Sequence, residues 1–409
     1  MARDSTTPIP SSVGDTATAA APVAGSPHAA GGHVRLSFRF DGAMQHSGEV
    51  ENPLFSMLAA VLDHGSIGRA AKMLGLSYRH VWGELKRWEQ TLGEPLIVWA
   101  QGQRARPTPF AERLVWTERR ARARMQPHIE ALRADLGRVV SDARDQRLQL
   151  LTVCASHDIA LQVLQRHAAD AAELHLDIRF QGSADSLRAL NSRRCLVAGF
   201  HVPVLTGAAP VFSDALKPLL KPGLHKLIGC ARRTQGLMVR REHAAAIESF
   251  ADVRASGLCF VNRQPGSGTR LLVDHLMHEH GFAPADIAGF DDRPEDTHVA
   301  VAAAVASGLA DAGAGIEAAA IEFGLHFVPL IEEHYFLACL KPNLAHPAVV
   351  ELCALLAAPD WSDLLASLPG YAPAPAPGEV LMMTRALPWW RFRGDKRDRI
   401  AEPAQPESA

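Results

Sequence analysis

Val-Asn-Arg-Gln-Pro-Gly-Ser-Gly-Thr-Arg, residues 261–270, joins a strand-like apolar run to a helical pattern, so its glycines fall where a strand turns into a helix. A helix that begins here leaves unpaired backbone N–H groups and partial positive charge at its N-terminus. Ser267, Thr269 and Arg270 add side-chain donors. The stretch predicts an oxyanion site, although a helix that is merely capped after a glycine turn would show the same pattern. Because Gly-Lys-Ser/Thr at Walker A spacing is missing, nucleotide hydrolysis is not indicated.

Charge is distributed unevenly along the chain. The 409 residues include 42 Lys and Arg against 44 Asp and Glu, a net charge of −2, and 47% of residues are hydrophobic, which is enough for two or three domain cores. Residues 54–140 carry 14 basic and 8 acidic side chains, so this segment is positive while the remainder is negative. A basic segment on an acidic protein suggests a module that binds a polyanion.

The six cysteines are spread singly, without a Cys-x-x-Cys pair. We therefore expect free thiols in a reducing cytoplasm and no metal site. Residues 1–30 are rich in Ala, Ser, Thr, Pro and Gly, and we predict that they form a disordered leader. Residues 391–409 are likewise predicted to form a disordered tail. Because no run of about 18 uninterrupted apolar residues occurs, we expect a cytoplasmic protein with no membrane partner.

A helix-turn-helix pattern occupies residues 65–91. Residues 34–40 alternate like a short strand, and a helix is predicted from Pro53. Ser66 is placed to cap a short helix that Gly75 ends, and Ser77 to cap the next helix. Residues 95–99 then read as a strand, 101–106 as a basic tip and 107–109 as the return, which together predict a wing.

The second helix of this pattern has the properties of a recognition helix, which presents donors to DNA from its N-terminal half. Solvated basic residues on an ordinary three-helix bundle are the alternative. The candidate DNA-binding residues are Ser66, Ser77, Tyr78, Arg79, His80, Trp82, Lys86, Arg104 and Arg106.

Residues 110–140 form a long, charged, helical stretch whose apolar positions a small domain cannot cover, so we predict that it pairs with an identical helix in a homodimer. Pro127 is expected to break or kink this helix. The polar stretch 141–147 is the predicted linker. The apolar positions are Leu114, Met125, Ile129, Leu132 and Leu136.

The N-terminal motifs resemble the DNA-binding domain of the ModE family of molybdate-responsive regulators, and more distantly the LysR-type head. The resemblance covers about a quarter of the chain. ModE proteins continue into small β-barrel domains, whereas nothing after Leu148 has that pattern. The matching motifs are Gly65-Ser66-Ile67, Ala70-Ala71, residues 75–78, Val81-Trp82 and residues 107–109.

From Leu148 onward, strand and helix patterns alternate, which predicts a mainly parallel sheet with binding groups at the carboxyl ends of its strands. This part resembles the periplasmic-binding-protein-like domain that is found fused to ModE-type heads and in some molybdenum-cofactor biosynthesis proteins. The matching elements are Ser156-His157-Asp158, residues 199–201, 233–237, 262–264 and 266–270, Thr297-His298, and residues 308–315 and 327–330.

The resemblance implies a type 2 fold of two α/β lobes joined by crossing strands, with the ligand in the cleft. The predicted organisation is a winged helix-turn-helix domain with its dimerisation helix at 31–140, a linker at 141–147 and a ligand-binding domain at 148–390. We place the first lobe at about 148–224 and the second at about 225–329, with residues 381–390 packing on the first lobe.

The resemblance also implies that neutral hydroxyls and helix N-termini surround a tetrahedral anion. Each hydroxyl is equally a good N-cap, the two candidate histidines could be structural, and Asp158 could neutralise an arginine or orient His157. Several arginines would also suit a larger phosphorylated ligand. The candidate ligand-binding residues are Ser156, His157, Ser183, Arg233, Arg263, Ser267, Gly268, Thr269, Arg270, Thr297 and His298.

Together these patterns predict a one-component transcriptional regulator that binds double-stranded DNA as a dimer and senses a small anionic effector, molybdate or tungstate, without a covalent cofactor. A larger molybdenum-cofactor-related or phosphorylated effector is one alternative. An enzyme acting on an anionic metabolite in the same cleft is another. We expect no catalytic residues, because the sequence indicates no nucleophile with a placed base, no metal-ligand cluster and no nicotinamide fingerprint.

Overall fold

The computed structural model describes residues 53–99, 105–144, 149–171, 174–204 and 210–390, and it divides into two compact units at Glu112 and Arg113. The predicted leader, the strand at 34–40, the tip residues 101–104 with Arg104, and the tail lie outside the described residues. No helix in the described ranges has the length and apolar character needed to cross a membrane.

The first unit contains three helices and a hairpin. Ser66 and Ser77 cap the second and third helices as predicted, since their hydroxyls accept from the backbone N–H groups of Arg69 and His80. The strand predicted at 95–99 is shorter, because only two residues pair with the return strand. The elements are α1 Pro53–His64, α2 Ile67–Met73, α3 Tyr78–Leu92, β1 Ile97–Val98 and β2 Arg106–Pro107.

Helix α4, Pro109–Arg144, is longer than predicted and continues through Pro127. The predicted break is therefore wrong, and the predicted kink stays a prediction. A proline removes one backbone hydrogen bond, and a helix of 36 residues has many others on both sides. Residues 141–144 of the predicted linker belong to α4, and residues 145–148 lie outside the described residues.

The second unit is built on one nine-stranded mixed sheet. The strands are β3 Gln149–Ala155, β4 Leu174–Phe180, β5 Val197–Pro203, β6 His225–Val239, β7 Phe260–Val261, β8 Ala312–Ile316, β9 His326–Leu340, β10 Tyr371–Pro373 and β11 Val380–Leu381. The helices are α5 Ile159–Ala171, α6 Ser183–Asn191, α7 Pro210–Leu216, α8 Phe250–Ala255, α9 Gly268–His280, α10 His298–Ala306, α11 Glu317–Glu322, α12 Pro347–Ala357, α13 Pro359–Ala366 and α14 Met383–Ala386.

The sheet has the order β4-β3-β5-β9-β6-β8-β7, with β10 and β11 paired to β6. Strands within each lobe run parallel, as β3 does with β4 and β5, and β7 with β8. The expectation of a mainly parallel sheet needs correction, because β6 and β9 are antiparallel to each other and β9 is antiparallel to β5. These two strands of 15 residues each run through both lobes, as the predicted two-lobed fold requires.

Each lobe has its own apolar core. In the first lobe, Phe200 and Leu187 pack with Met383 and Leu387 of the C-terminal segment, which confirms that the segment returns to this lobe. In the second lobe, Phe250, Phe260 and Phe290 belong to one buried cluster. A larger buried cluster contains Leu151 of the first lobe together with Val261 and Val301 of the second, so the apolar packing continues from one lobe to the other. Residues of both lobes line the cleft.

Candidate functional site

The candidate DNA-binding residues lie mainly on α3. Tyr78, Arg79 and His80 are exposed in its first turn. Ser66 is half-buried and Ser77 is exposed, but the hydroxyls of both are already used as N-caps. The first turn therefore offers a phenol, a guanidinium and an imidazole to a partner, which are side chains that can contact bases and phosphates.

Two other candidates on α3 are engaged within the domain. The Trp82 ring packs edge-on against Trp99, with 5.5 Å between centroids, and the Lys86 ammonium lies 4.7 Å from the Trp82 ring centre. Lys86 also pairs with Glu89, whose carboxylate accepts from the backbone N–H groups at the start of the hairpin. Of the two wing arginines, Arg106 is exposed and described.

The candidate ligand site is a cavity of 210 Å³ between the two lobes. The structure brings nine of the eleven predicted ligand residues to its wall. Ser183 and Arg270 do not line it. The nine are Ser156, His157, Arg233, Arg263, Ser267, Gly268, Thr269, Thr297 and His298.

Helix N-termini supply much of the second-lobe wall. Ser267 caps α9 by accepting from Arg270 N, and Thr297 caps α10 by accepting from Ala300 N. Both residues line the cavity, so the first backbone N–H groups of two helices lie beside it. A helix begins at 267–268 because Gly266 has a positive φ of 84°, which reverses the chain after the strand.

Ser183 and Arg270 take positions that differ from the expectation. Gly182, and not Ser183, is the N-cap of α6, and the Ser183 hydroxyl is buried without a partner among the described residues. Arg270 pairs with Asp274 at 2.8 Å and with Asp291 at 2.9 Å, so its charge is neutralised away from the cavity.

A chain of hydrogen bonds begins at Ser156 in the first lobe. Its Oγ lies 2.9 Å from Nδ1 of His201, and Nε2 of the same ring lies 2.8 Å from Asp158 Oδ2. Because an ionised carboxylate can only accept, His201 carries its proton on Nε2, and Nδ1 accepts from Ser156. Asp158 thus orients His201, while His157 lies near Gln162 instead.

The chain continues through the crossing strands to the second lobe. Arg233 donates to Asp158 at 2.8 Å and to Glu333 at 3.0 Å. Gln235 then donates to Glu333 at 2.8 Å and to Thr269 Oγ1 at 3.0 Å. One buried network therefore connects β3 and β5 to the start of α9.

The charge of Arg233 is fully offset by this network. Burial alone would lower the pKa of Arg233, but the charges of Glu333 and Asp158 outweigh it and raise that pKa. Burial alone would raise the pKa of Asp158, but Arg233 and the hydrogen bond from His201 lower it to about 2. Both groups are therefore ionised at neutral pH, and Arg233 has two carboxylate partners.

Arg263 is also buried, but its hydrogen-bond partners are backbone carbonyls and not carboxylates. Its guanidinium donates to the backbone carbonyls of Glu295 at 3.1 Å and Asp296 at 2.6 Å, and it forms no ion pair among the described residues. Burial and the nearby Arg233 lower its pKa to about 9. Arg263 thus brings to the cavity a positive charge without a carboxylate partner in the described part of the chain.

His157 and His298 of the cavity wall are neutral at pH 7. Burial, with the charge of Arg263, lowers the pKa of His157 to about 4. The same two causes place the pKa of His298 well below its ordinary value. Nδ1 of each ring is buried without a partner among the described residues, so both rings retain an unused polar atom.

Sequence reasoning missed several residues of the cavity wall. The sequence patterns place His201 at the end of a strand without a functional role. No local pattern indicates its contact with Asp158, which lies 43 positions away. Pro127 and His128 come from α4, for which the sequence predicts dimerisation and no role at the ligand site was assigned. The additional lining residues are Pro127, His128, Phe180, Gln181, Gly182, His201, Gln264 and Asp296.

The Ser156–His201–Asp158 chain also corrects the expectation that no nucleophile has a placed base. Its order is that of a nucleophile, a base and a carboxylate. Here the same Asp158 oxygen also accepts from Arg233, and the chain forms part of the larger network that joins the lobes. The comparisons with known proteins decide which class of protein carries this network.

Two family models match the chain. The model described as "Bacterial regulatory helix-turn-helix protein, lysR family" matches residues 54–112, and the "PBP superfamily domain" model matches residues 164–357. The first agrees with the LysR type, the more distant of the two resemblances expected for the head, and the second with the predicted periplasmic-binding-protein-like domain. The resemblance to ModE-type heads stays a prediction.

Two curated proteins are similar to the chain. The uncharacterised protein YvgK of Bacillus subtilis is 31% identical over 233 residues, which are 56% of this chain and 73% of YvgK. The HTH-type transcriptional regulator CfxR of Cupriavidus necator is 25% identical over 231 residues, which are 56% of this chain and 66% of CfxR.

Among solved structures, ArgP from Mycobacterium tuberculosis is 18% identical, with a TM-score of 0.35, and the alignment covers 75% of this chain and 96% of ArgP. CbnR, a LysR family transcriptional regulator, is 17% identical with a TM-score of 0.33, covering 72% and 95%. At these TM-scores the assignment rests on the sequence matches. The chain belongs to the same protein family as YvgK, and it is a transcriptional regulator, not an enzyme, that combines a lysR-family helix-turn-helix domain with a PBP superfamily domain.

Proposed function

We propose that this regulator acts in the cytoplasm as a DNA-bound homodimer and senses a small inorganic oxyanion, molybdate or tungstate, in the cleft between its lobes. The observation that carries the proposal is Arg263. A buried guanidinium without an ion-pair partner among the described residues is costly, and an anion in the cavity would offset its charge.

Neutral donors around Arg263 support the same class of ligand. The N-termini of α9 and α10 lie at the cavity wall, and helix N-termini favour anions through their free N–H groups and their dipoles. His157 and His298 line the cavity, and Nδ1 of each ring is buried without a partner in the described ranges. Donors of this kind can surround a tetrahedral ion from several directions.

The size of the cavity also supports a small ligand. Its volume of 210 Å³ lies below the range of about 300 to 1,000 Å³ that is typical of sites for drug-sized molecules. The larger effector, a molybdenum-cofactor-related or phosphorylated metabolite, remains a second candidate. Phe180 favours it, because this aromatic side chain lines the cavity and could stack on a planar ring.

Calorimetric titration of the full chain with molybdate, tungstate, sulfate and phosphate tests the proposal. We expect micromolar or tighter binding of molybdate or tungstate, a binding free energy of about −8 kcal/mol or better. Arg263→Gln should weaken this binding by about 1.5 to 3 kcal/mol, the contribution of a hydrogen bond to a charged group. Arg270→Gln is the matched control, since Arg270 lies close in sequence but pairs with Asp274 and Asp291.

A second variant tests the position of the ligand without removing charge. A Cβ added at Gly268 would meet only His201 and Ser183 atoms, at 3.6 Å or more, so Gly268→Ala should fold normally. Because Gly268 lines the cavity, the added methyl group should weaken binding of the anion. Equal affinities in wild type, Arg263→Gln and Gly268→Ala would place the anion elsewhere. If none of the four anions binds, an inorganic oxyanion is rejected as the effector.

A further inference from the structure

Helix α4 packs along the second lobe with one of its faces. Trp116 lies 6.2 Å from Phe323 between ring centroids, and Ala123 is buried. Pro127 and His128 line the ligand cavity. Because an α-helix has 3.6 residues per turn, positions 116, 120, 123 and 127 lie on one side of α4. The helix that leaves the helix-turn-helix motif therefore contacts the ligand-binding lobe over about three turns.

The strongest contact on this face is an ionic cluster. Arg124 approaches the Glu295 carboxylate with two nitrogens, Nε at 2.7 Å and Nη2 at 2.8 Å. Arg120 Nε adds a third hydrogen bond at 3.2 Å. The Glu295 side chain is 1% exposed, and the side chains that donate to it within the described residues both belong to α4. We call Arg120, Arg124 and Glu295 the α4 clamp.

Glu295 lies directly before the cavity wall in the chain and is bonded to Arg263, which lines the cavity. Its backbone N–H donates to Asn262 at 2.9 Å, and its carbonyl accepts from Gln264 N and from Arg263 Nε, both at 3.1 Å. The next three residues, 296–298, line the cavity. One residue thus joins the guanidinium at the ligand site to the two arginines of α4.

The ion pairs between Glu295 and the α4 arginines are energetically costly to break. A buried carboxylate is stable only when it is paired, so Glu295 and the α4 arginines stabilise each other's positions. A bidentate arginine–carboxylate pair also restricts geometry, because two parallel hydrogen bonds permit little rotation. A ligand that displaces Arg263 must therefore also displace Glu295 or distort the hydrogen bonds of the clamp.

We propose that α4 is a wall of the ligand site and that the clamp couples occupancy of the cleft to the position of α4. Because this inference rests on the proposed function, a ligand in the cleft, its test has one arm that needs no ligand. Ligand binding shifts Arg263 and the 295–298 segment, and the clamp passes this shift to the helix that connects the domains.

Hydrogen–deuterium exchange of the full chain tests the coupling, with circular dichroism to check folding. Without ligand, Arg120→Gln combined with Arg124→Gln should raise exchange of residues 113–128 at least tenfold. Arg122→Gln is the matched control, because Arg122 pairs with Glu118 on α4 itself. If the double variant is not folded, Glu295→Gln, which keeps the side-chain shape, replaces it in the same comparison.

In the arm with ligand, tungstate should alter exchange at 263–270 and at 113–128 in the wild type, but only at 263–270 in the double variant. Wild-type exchange at 113–128 in the ligand-free double variant would overturn the clamp. A response at 263–270 without one at 113–128 in the wild type would overturn the coupling and leave the proposed effector standing. If tungstate, molybdate, sulfate and phosphate all leave 263–270 unchanged, the effector is wrong, and the ligand-free arm alone decides whether the clamp holds α4.

Discussion

Arg233 and Arg263 both line the cleft, but only Arg233 is neutralised by carboxylates. Asp158 and Glu333 flank Arg233, so it contributes structure more than free charge. Arg263 rests on two backbone carbonyls, which stabilise its position without cancelling its charge. Under the proposed function, anion recognition therefore falls to Arg263, and Arg233 belongs to the network that connects the lobes.

At the same scale, the neutral histidines predict how stability depends on pH. The unfolded chain binds protons at histidine near pH 6.5, whereas burial lowers the pKa of His157 to about 4 and places the pKa of His298 well below its ordinary value. Because the unfolded state then binds more protons, the free energy of unfolding should fall as pH decreases through this window. Each such histidine contributes about 1.4 kcal/mol per pH unit.

Urea denaturation of the ligand-free protein between pH 7 and pH 5 measures this dependence. His298→Gln should make the decrease shallower, while His326→Gln, at an exposed position, should leave it unchanged. A stability that is flat or rises towards pH 5 would contradict the prediction.

At the scale of the element, α3 is built so that one side packs and its first turn remains available. Val81 and Leu85 are buried, and Ser77 closes the N-terminus of the helix. Glu89 bonds the backbone of the hairpin, which fixes the wing against the helix. The fold thus presents Tyr78, Arg79 and His80 on a rigid support.

Arg79→Ala should weaken operator binding by about 1 to 3 kcal/mol if Arg79 contacts a base. Arg87→Ala is the matched control, because Arg87 is also exposed on α3 but lies two turns further on and pairs with Glu84. Fluorescence anisotropy with an operator fragment at fixed salt concentration measures both affinities. Equal losses in the two variants would remove Arg79 from the base-reading surface and leave a general electrostatic effect.

At the scale of the whole molecule, α4 has two distinct faces. The face that contains Trp116, Arg120 and Pro127 contacts its own second lobe. At 3.6 residues per turn, the apolar positions of the sequence analysis lie on the opposite side. They are Leu114, Met125, Ile129, Leu132 and Leu136. The clamp and the proposed dimer contact therefore do not compete for the same side of the helix.

Sedimentation of the full chain should show a dimer, and Leu132→Glu should shift it to monomer. Leu132 is 45% exposed within one chain, so a charge there does not disturb the core but would be buried in a helix pair. Val350→Glu, at a 53% exposed helical position, is the control. A wild-type monomer, or a Leu132→Glu variant that remains a dimer, would contradict pairing through this face.

Local patterns were sufficient for the elements and for part of the site. Ser66 and Ser77 cap their helices as predicted, because a cap bonds a backbone N–H only three residues away. Ser267 and Thr297, candidate ligand residues for which capping was the alternative, also cap their helices. The glycine turn at 266–268 was predictable for the same reason, whereas the two-lobed organisation was expected from the resemblance to periplasmic-binding-protein-like domains. The 3.6-residue and two-residue periodicities of hydrophobic residues belong to short segments, and the folded helices and strands retain them.

Tertiary structure alone decided the remaining site geometry. The Arg233–Glu333 pair is 100 positions apart and depends on the antiparallel register of β6 and β9, where these two residues face each other. His201 reaches Asp158 because β5 lies beside β3. The clamp joins Arg124 to Glu295 over 171 positions. Sequence by itself determined which elements form and where helices begin, since those depend on neighbours within a few residues. Packing between distant segments determined which charges are neutralised and which helix lines the cleft.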